Sequence, residues 1–282
     1  MTELRRLIVN ADDLGIAEGV DRGILEAHTA GVVTAASLLA NGASFAHAVR
    51  LARAAPALSI GVHLDFVAGR PLTKARSLVD ARSGRFHSLA RLACLAALGR
   101  VAEDDVIAET TAQISRVRDA GLHVTHVDSH RHAHLIPGVW TGVATATEAA
   151  QAAPLRMPVE RLTMTNGYPS TGATLRIAAL RAAAAIATRG RTHPSHPDHF
   201  AGLALQGRRD FAARLVALLD ALPLGTTELM VHPGRVDAAL SAADPYTAPR
   251  DTELSALLSA PIRERLRRGD FRLVGFGEVS HH

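Results

Sequence analysis

Leu122-His123-Val124-Thr125-His126-Val127-Asp128-Ser129-His130-Arg131-His132-Ala133-His134 begins as a β-compatible run and ends as a cluster of imidazoles. From His126 onward, four histidines and one aspartate occupy alternate positions. Side chains alternate across a strand, so His126, Asp128, His130, His132 and His134 share one face for as long as the chain stays extended. Imidazoles at period two make a poor apolar core. At a strand end they suit metal ligation and proton transfer, because imidazole binds metals and titrates near neutrality. The competing reading is a solvated histidine-rich loop or part of a structural network.

The segments around this run alternate between strand and helix patterns. Strands are expected at Leu7–Val9, Val32–Leu39, Leu58–His63, Leu122–Asp128, Leu155–Met157, Glu228–His232 and Phe271–Val274. Ile16, Val20, Ile24 and Ala27 fall at helical spacing, with Gly31 as the stop. Further helices are expected near 45–55, 103–120, 139–152, 174–187 and 210–222. Such alternation implies a parallel sheet with helices outside it. Chemical residues fall just after strands: Asp12 and Asp13, His63, His130, and His232. Sites in α/β proteins lie at the carboxyl ends of the strands, and a barrel gathers separated strand ends on one rim. The expectation is therefore an α/β fold, a (β/α) barrel that need not close and has seven strands. One domain over 1–280 is expected, with long rim loops near 66–100 and 190–207.

Composition narrows the classes. The chain has 282 residues, and 48% of them are hydrophobic, ample for a buried core. The net charge is +4, but the arginines are scattered and only 4% of residues are aromatic. That leaves few base-stacking platforms, so no nucleic acid is expected as a partner, whereas an anionic small molecule is compatible. The single cysteine, Cys94, lies in an apolar run and reads as a small core residue; it excludes an internal disulfide framework and fits a reducing compartment. No stretch reads as a signal peptide or membrane span, so a cytoplasmic protein is expected. His281 and His282 carry no weight in the reading.

The motifs each have two readings. In Asn10-Ala11-Asp12-Asp13 one carboxylate can bind a metal while its neighbour accepts a proton from water; alternatively one caps the helix that starts near Gly15. His63 in Gly61-Val62-His63-Leu64, alone, reads as a hydrogen-bonded core histidine, and gains weight from the ligands at other strand ends. Pro233 and Gly234 halt the strand at His232 and restrict it, which suits a general acid or a turn histidine without a chemical role. Arg156 and Glu160 could orient a base or bind a polar substrate, against the ordinary reading of a surface ion pair.

Taken together, the pieces resemble the YdjC/ChbG-type carbohydrate deacetylase family, which includes a hopanoid-associated HpnK-like branch. The resemblance covers nearly the whole chain. It rests on Val9-Asn10-Ala11-Asp12-Asp13-Leu14-Gly15, Gly19-Val20-Asp21-Arg22-Gly23-Ile24 and Thr34-Ala35-Ala36-Ser37-Leu38-Leu39-Ala40-Asn41-Gly42. It continues through Gly61-Val62-His63-Leu64, the His126–His134 run, Arg156-Met157-Pro158 and Glu228-Leu229-Met230-Val231-His232-Pro233-Gly234. Leu14 stands where phenylalanine is common in the family, Asp128-Ser129 matches the ChbG-like pattern, and the segment from Gly167 to Gly207 matches only loosely.

The resemblance implies a barrel related to that of polysaccharide deacetylases and removal of acetyl groups from N-acetylated amino sugars with one divalent metal. It implies Asp13, His63 and His130 as metal ligands. Asp12 follows as the base by analogy with polysaccharide deacetylases, with His232 as the acid. Asn41, His132, Arg156 and Glu160 are the substrate-binding candidates. The family points to magnesium, whereas two imidazoles and a carboxylate favour zinc, cobalt or manganese. The expected partner is a small amino-sugar substrate, and a homo-oligomer is compatible with the sequence. Two other functions stay open: a metal-dependent phosphoesterase, and a non-catalytic metal- or sugar-binding protein on the same scaffold.

Overall fold

The computed structural model describes residues 5–151, 154–161, 170–189 and 195–278. Seven strands form one parallel sheet: β1 (Arg5–Leu14), β2 (Ala35–Leu38), β3 (Ser59–Leu64), β4 (Val124–Ser129), β5 (His199–Ala201), β6 (Gly225–Val231) and β7 (Arg272–Leu273). The order is β4-β3-β2-β1-β6-β5, and β7 pairs with the first residues of β1. The strands are nearly continuous runs of buried residues, as expected when helices cover a parallel sheet.

Among the described residues the sheet curls without a full strand at its seam. Leu155 makes a single parallel bridge to Val127 on β4, and Glu160 makes one to Phe200 on β5. The strand expected at Leu155–Met157 is thus reduced to isolated bridges, because Pro154 and Pro158 flank it and deny ladder donors. The result is an incomplete barrel whose open edges are linked by Leu155–Glu160.

The helices are α1 (Glu18–Thr29), α2 (Phe45–Ala54), α3 (Leu89–Ala97), α4 (Glu103–Asp119), α5 (Trp140–Ala149), α6 (Thr171–Ala187), α7 (Phe211–Asp220), α8 (Ala238–Ala243), α9 (Ala248–Leu257) and α10 (Ala260–Arg267). Four of them, α3 and α8 to α10, depart from the sequence expectation. The loop expected near 66–100 contains α3 and a short 3-10 turn at Arg76–Leu78. Part of the loop expected near 190–207 is β5, while His193 and Pro194 lie outside the described residues, as do Gly167, His281 and His282. Cys94 is exposed rather than in the core, because α3 turns Leu92 and Leu95 inward.

Two glycines explain why α1 sits so close to the site. A Cβ on Gly19 would lie 2.2 Å from the Arg235 carbonyl oxygen, and one on Gly23 would lie 2.7 Å from Gly234 Cα. Backbone thus packs on backbone directly after His232, which only glycine permits.

Candidate metal and acid–base site

The site begins with a distortion of β1. Asn10 and Ala11 pair regularly with Ala35 and Ala36, and the register then shifts before Leu14 pairs with Leu38. Asp12 and Asp13 occupy this irregularity, and Asp13 adopts φ 71°, in the left-handed region. A bulge re-aims side chains, and such a conformation in a non-glycine residue costs of order 1–3 kcal/mol. Adjacent strand residues normally face opposite ways, yet here both carboxylates line one cavity. The helix-cap alternative falls away: α1 begins at Glu18 behind Ala17, with no side-chain cap.

Asp13 Oδ1 lies 2.8 Å from His130 Nδ1 and 3.2 Å from His63 Nε2. Donor atoms of the three residues all lie within 4.8 Å of one another, and all three residues are buried. His63 pairs in register with Asp128 across β3 and β4, and its Nδ1 lies 2.7 Å from Asp128 Oδ1. A carboxylate behind an imidazole orients the ring and frees its other nitrogen for a metal. Burial works against the Asp13 carboxylate, but Arg250 and His130 outweigh it and hold the group well below the usual range. It is therefore ionised, as a metal ligand must be. One carboxylate and two imidazoles at this spacing fit a divalent cation.

Asp12, His63 and Asp128 form a second group of similar compactness. A guanidinium already serves this group. Arg156 donates to both oxygens of Asp12 at 2.7 Å, approaches Asp128 Oδ2 at 2.8 Å, and donates from Nε to Glu228 Oε1 at 2.7 Å. Asn10 and Ser37 extend the network: Asn10 Nδ2 donates to Asp12 and to the Ser37 hydroxyl, which donates to Asp128. Burial pushes the Glu228 carboxyl up to about 7 despite Arg156.

Beyond Ser129 the alternation of the opening run breaks. Arg131 and His132 take φ 54° and 55° in a 3-10 segment, so the five residues do not share one face. His126 is buried outside the cavity lining, stacked on Phe276 at 3.8 Å and 3.1 Å from the Ser37 hydroxyl, and burial drives it down to about 3. His134 is buried, held by Ser129 and the Arg156 carbonyl, and burial lowers it to about 4. Both are neutral structural imidazoles. Only His130 and His132 of the four reach the cavity.

The cavity has a volume of about 610 Å3. Asp12, Asp13, His63, His130, His132 and His232 all line it. His232 Nε2 lies 4.0 Å from Asp12 Oδ2, and its backbone N–H donates to Glu253 on α9 at 2.6 Å. Three of the four substrate-binding candidates lie elsewhere. Asn41 donates to Asp65 and to the Arg70 carbonyl, tying down a rim loop outside the cavity lining. Arg156 is 1% exposed, so it holds Asp12 from beneath instead of meeting solvent or forming a surface ion pair. Glu160 is fully buried and accepts from the Ala204 N–H, bracing the turn that carries the cavity residues Leu203 and Gln206.

Several participants escaped the sequence reading. Arg250, Asp244 and Tyr246 line the cavity from the region around α9, and no motif marks them. Glu228 did leave a signal, as the one charged residue inside a strand that runs on into Leu229, Met230 and Val231.

A curled parallel sheet with a buried Asp–His–His group and a second carboxylate at its strand ends has the layout of a metal-site α/β barrel. The chain belongs to the YdjC-like protein family, which it matches over residues 6–268. The carbohydrate deacetylase of Brevibacillus brevis is 33% identical over 98% of this chain and 100% of its own length. The chitooligosaccharide deacetylase of Yersinia enterocolitica is 31% identical over 96% of this chain and 98% of its own. Among solved structures, an Enterococcus faecalis protein named for cellobiose-phosphate cleavage aligns with a TM-score of 0.76 and 28% identity, covering 97% of this chain and 98% of that one. Among the described residues no helix is long and apolar enough to cross a membrane.

Proposed function

We propose that this chain is a metal-dependent carbohydrate N-deacetylase that removes the acetyl group from an N-acetylated amino sugar. The observation that carries the reading is the convergence of Asp13, His63 and His130 beside Asp12 and His232 on one cavity wall. The full-length relatives named carbohydrate deacetylase support the substrate class.

Asp13, His63 and His130 would hold the ion, and their donor set favours zinc, cobalt or manganese over magnesium. When bound, such an ion supplies Lewis acidity toward an acetamide carbonyl and lowers the pKa of water. Asp12 takes the proton of the attacking water, and Arg156 fixes both carboxylate oxygens so that the base does not rotate away. A C–O bond forms at the acetyl carbon and the C–N bond breaks. His232 gives a proton to the departing amine, leaving acetate and a free amino sugar.

The test is acetate release by protein stripped of metal and reloaded, across N-acetylglucosamine, its oligomers and lipid-linked amino sugars. Acetate from at least one of them is expected. Release of inorganic phosphate from sugar phosphates, without acetate, would select the phosphoesterase. Metal and sugar binding with no turnover, unchanged in Asp12→Asn, would select a binding protein.

A further inference from the structure

The two oxygens of Asp13 have different neighbours. Oδ1 faces His63 and His130, whereas Oδ2 accepts from Arg250 at 2.5 Å. The same Arg250 nitrogen donates to Asp244 at 2.8 Å, and Arg250 Nε donates to the Tyr246 carbonyl at 2.8 Å. Arg250 is fully buried at the start of α9, so this grip is built into the fold and is not a mobile surface contact.

We infer that Arg250 is a positioning residue that keeps Asp13 a one-oxygen ligand and weakens the site's hold on its cation. This rests on the metal reading above. Two effects act in one direction. An occupied Oδ2 is withheld from the ion, which leaves a position for water or substrate, as catalytic sites require. A guanidinium beside the ligand also repels a second cation in a poorly screened interior. Asp244 balances the guanidinium and keeps it in place.

The sign of the effect separates this role from mere support. A scaffold that only held Asp13 in place would lose metal when removed; Arg250 should do the reverse. In Arg250→Gln, zinc affinity of the stripped protein, measured by chelator competition without substrate, should tighten by about tenfold or more. The visible bands of the cobalt-loaded variant should weaken as Asp13 contributes a second oxygen. If Arg250→Gln fails to fold, Arg250→Gln combined with Asp244→Asn removes the cation and its counter-charge together and should still tighten zinc, by a smaller factor, through the freed Asp13 oxygen alone. Unchanged or weaker zinc binding in a folded variant overturns the inference. So does a zinc-loaded wild-type crystal structure in which Asp13 Oδ2 has left Arg250 for the ion. Absence of acetate release would sink the proposed reaction but leave these binding measurements standing.

Discussion

Arg156 grips Asp12 with two hydrogen bonds of 2.7 Å each, one to each carboxylate oxygen, in a pair that is almost entirely buried. One guanidinium therefore orients the base and also serves Asp128 and Glu228. Fork geometry of this kind belongs to arginine, because a lysine offers a point charge and no planar pair of donors. Removing it in Arg156→Ala leaves buried carboxylates without their partner and should destabilise the fold by about 3–5 kcal/mol. Arg156→Lys should fold better yet keep low turnover with normal metal content. A lysine variant with wild-type kcat would deny Arg156 its orienting role.

Asp12 and His232 should fail differently. Asp12→Asn should retain metal and lose turnover by roughly 10²–10⁴-fold, the range for a missing acid–base group. His232→Ala should also keep metal, but lose less on substrates whose amine departs easily, since an acid assists only departure. Metal analysis alongside kcat on good and poor leaving groups checks both. Metal loss in Asp12→Asn would make that residue a ligand.

Replacing a ligand should act first on metal content. His63→Ala and His130→Ala should each bind zinc far more weakly, whereas His134→Ala should bind it normally despite its place in the same histidine run. The contrast is read from metal-to-protein ratios after dialysis. Retention of a full equivalent by His130→Ala would remove that residue from the site.

The contribution of Glu160 to stability should fall as pH rises through neutrality. Burial lifts its carboxyl from 4.5 to about 7, against donation from the backbone of Ala204, Leu203 and Gly202. Between those values the folded state holds a proton that the unfolded chain has released, so the folded state is favoured most at the acidic end. That advantage is lost as pH climbs toward 7, by an amount on the order of 3 kcal/mol. The urea midpoint of the wild type relative to Glu160→Gln should fall between pH 5 and 8, since the other buried groups titrate alike in both. Equal slopes in the two would mean that this group does not titrate there.

The backbone contact behind His232 predicts an overpacking penalty. Gly23→Ala would place its Cβ 2.7 Å from Gly234 Cα and should cost about 1–3 kcal/mol. Gly172→Ala on α6, where nothing lies within 4 Å, should be neutral or mildly stabilising. Thermal melts of the pair suffice; equal midpoints would show that α1 can shift without cost.

The parallel β–α plan and the carboxyl-end location of Asp12, Asp13, His63, His130 and His232 were legible along the chain. Apolar runs and helical periodicity are local properties, and each chemical residue sits at the end of its strand or just past it. Tertiary structure alone decided which of them share a cavity. The β1 irregularity turns Asp12 and Asp13 to one side, and the left-handed turn at Arg131 and His132 breaks an alternation that looks unbroken on paper. The partners of these groups were equally out of reach. Arg156 meets Asp12 across 144 positions and Arg250 meets Asp13 across 237, and no local pattern encodes a contact made only when the sheet curls. Strand ends can be read from neighbours along the chain, whereas the charges that orient them come from wherever the fold brings a buried guanidinium.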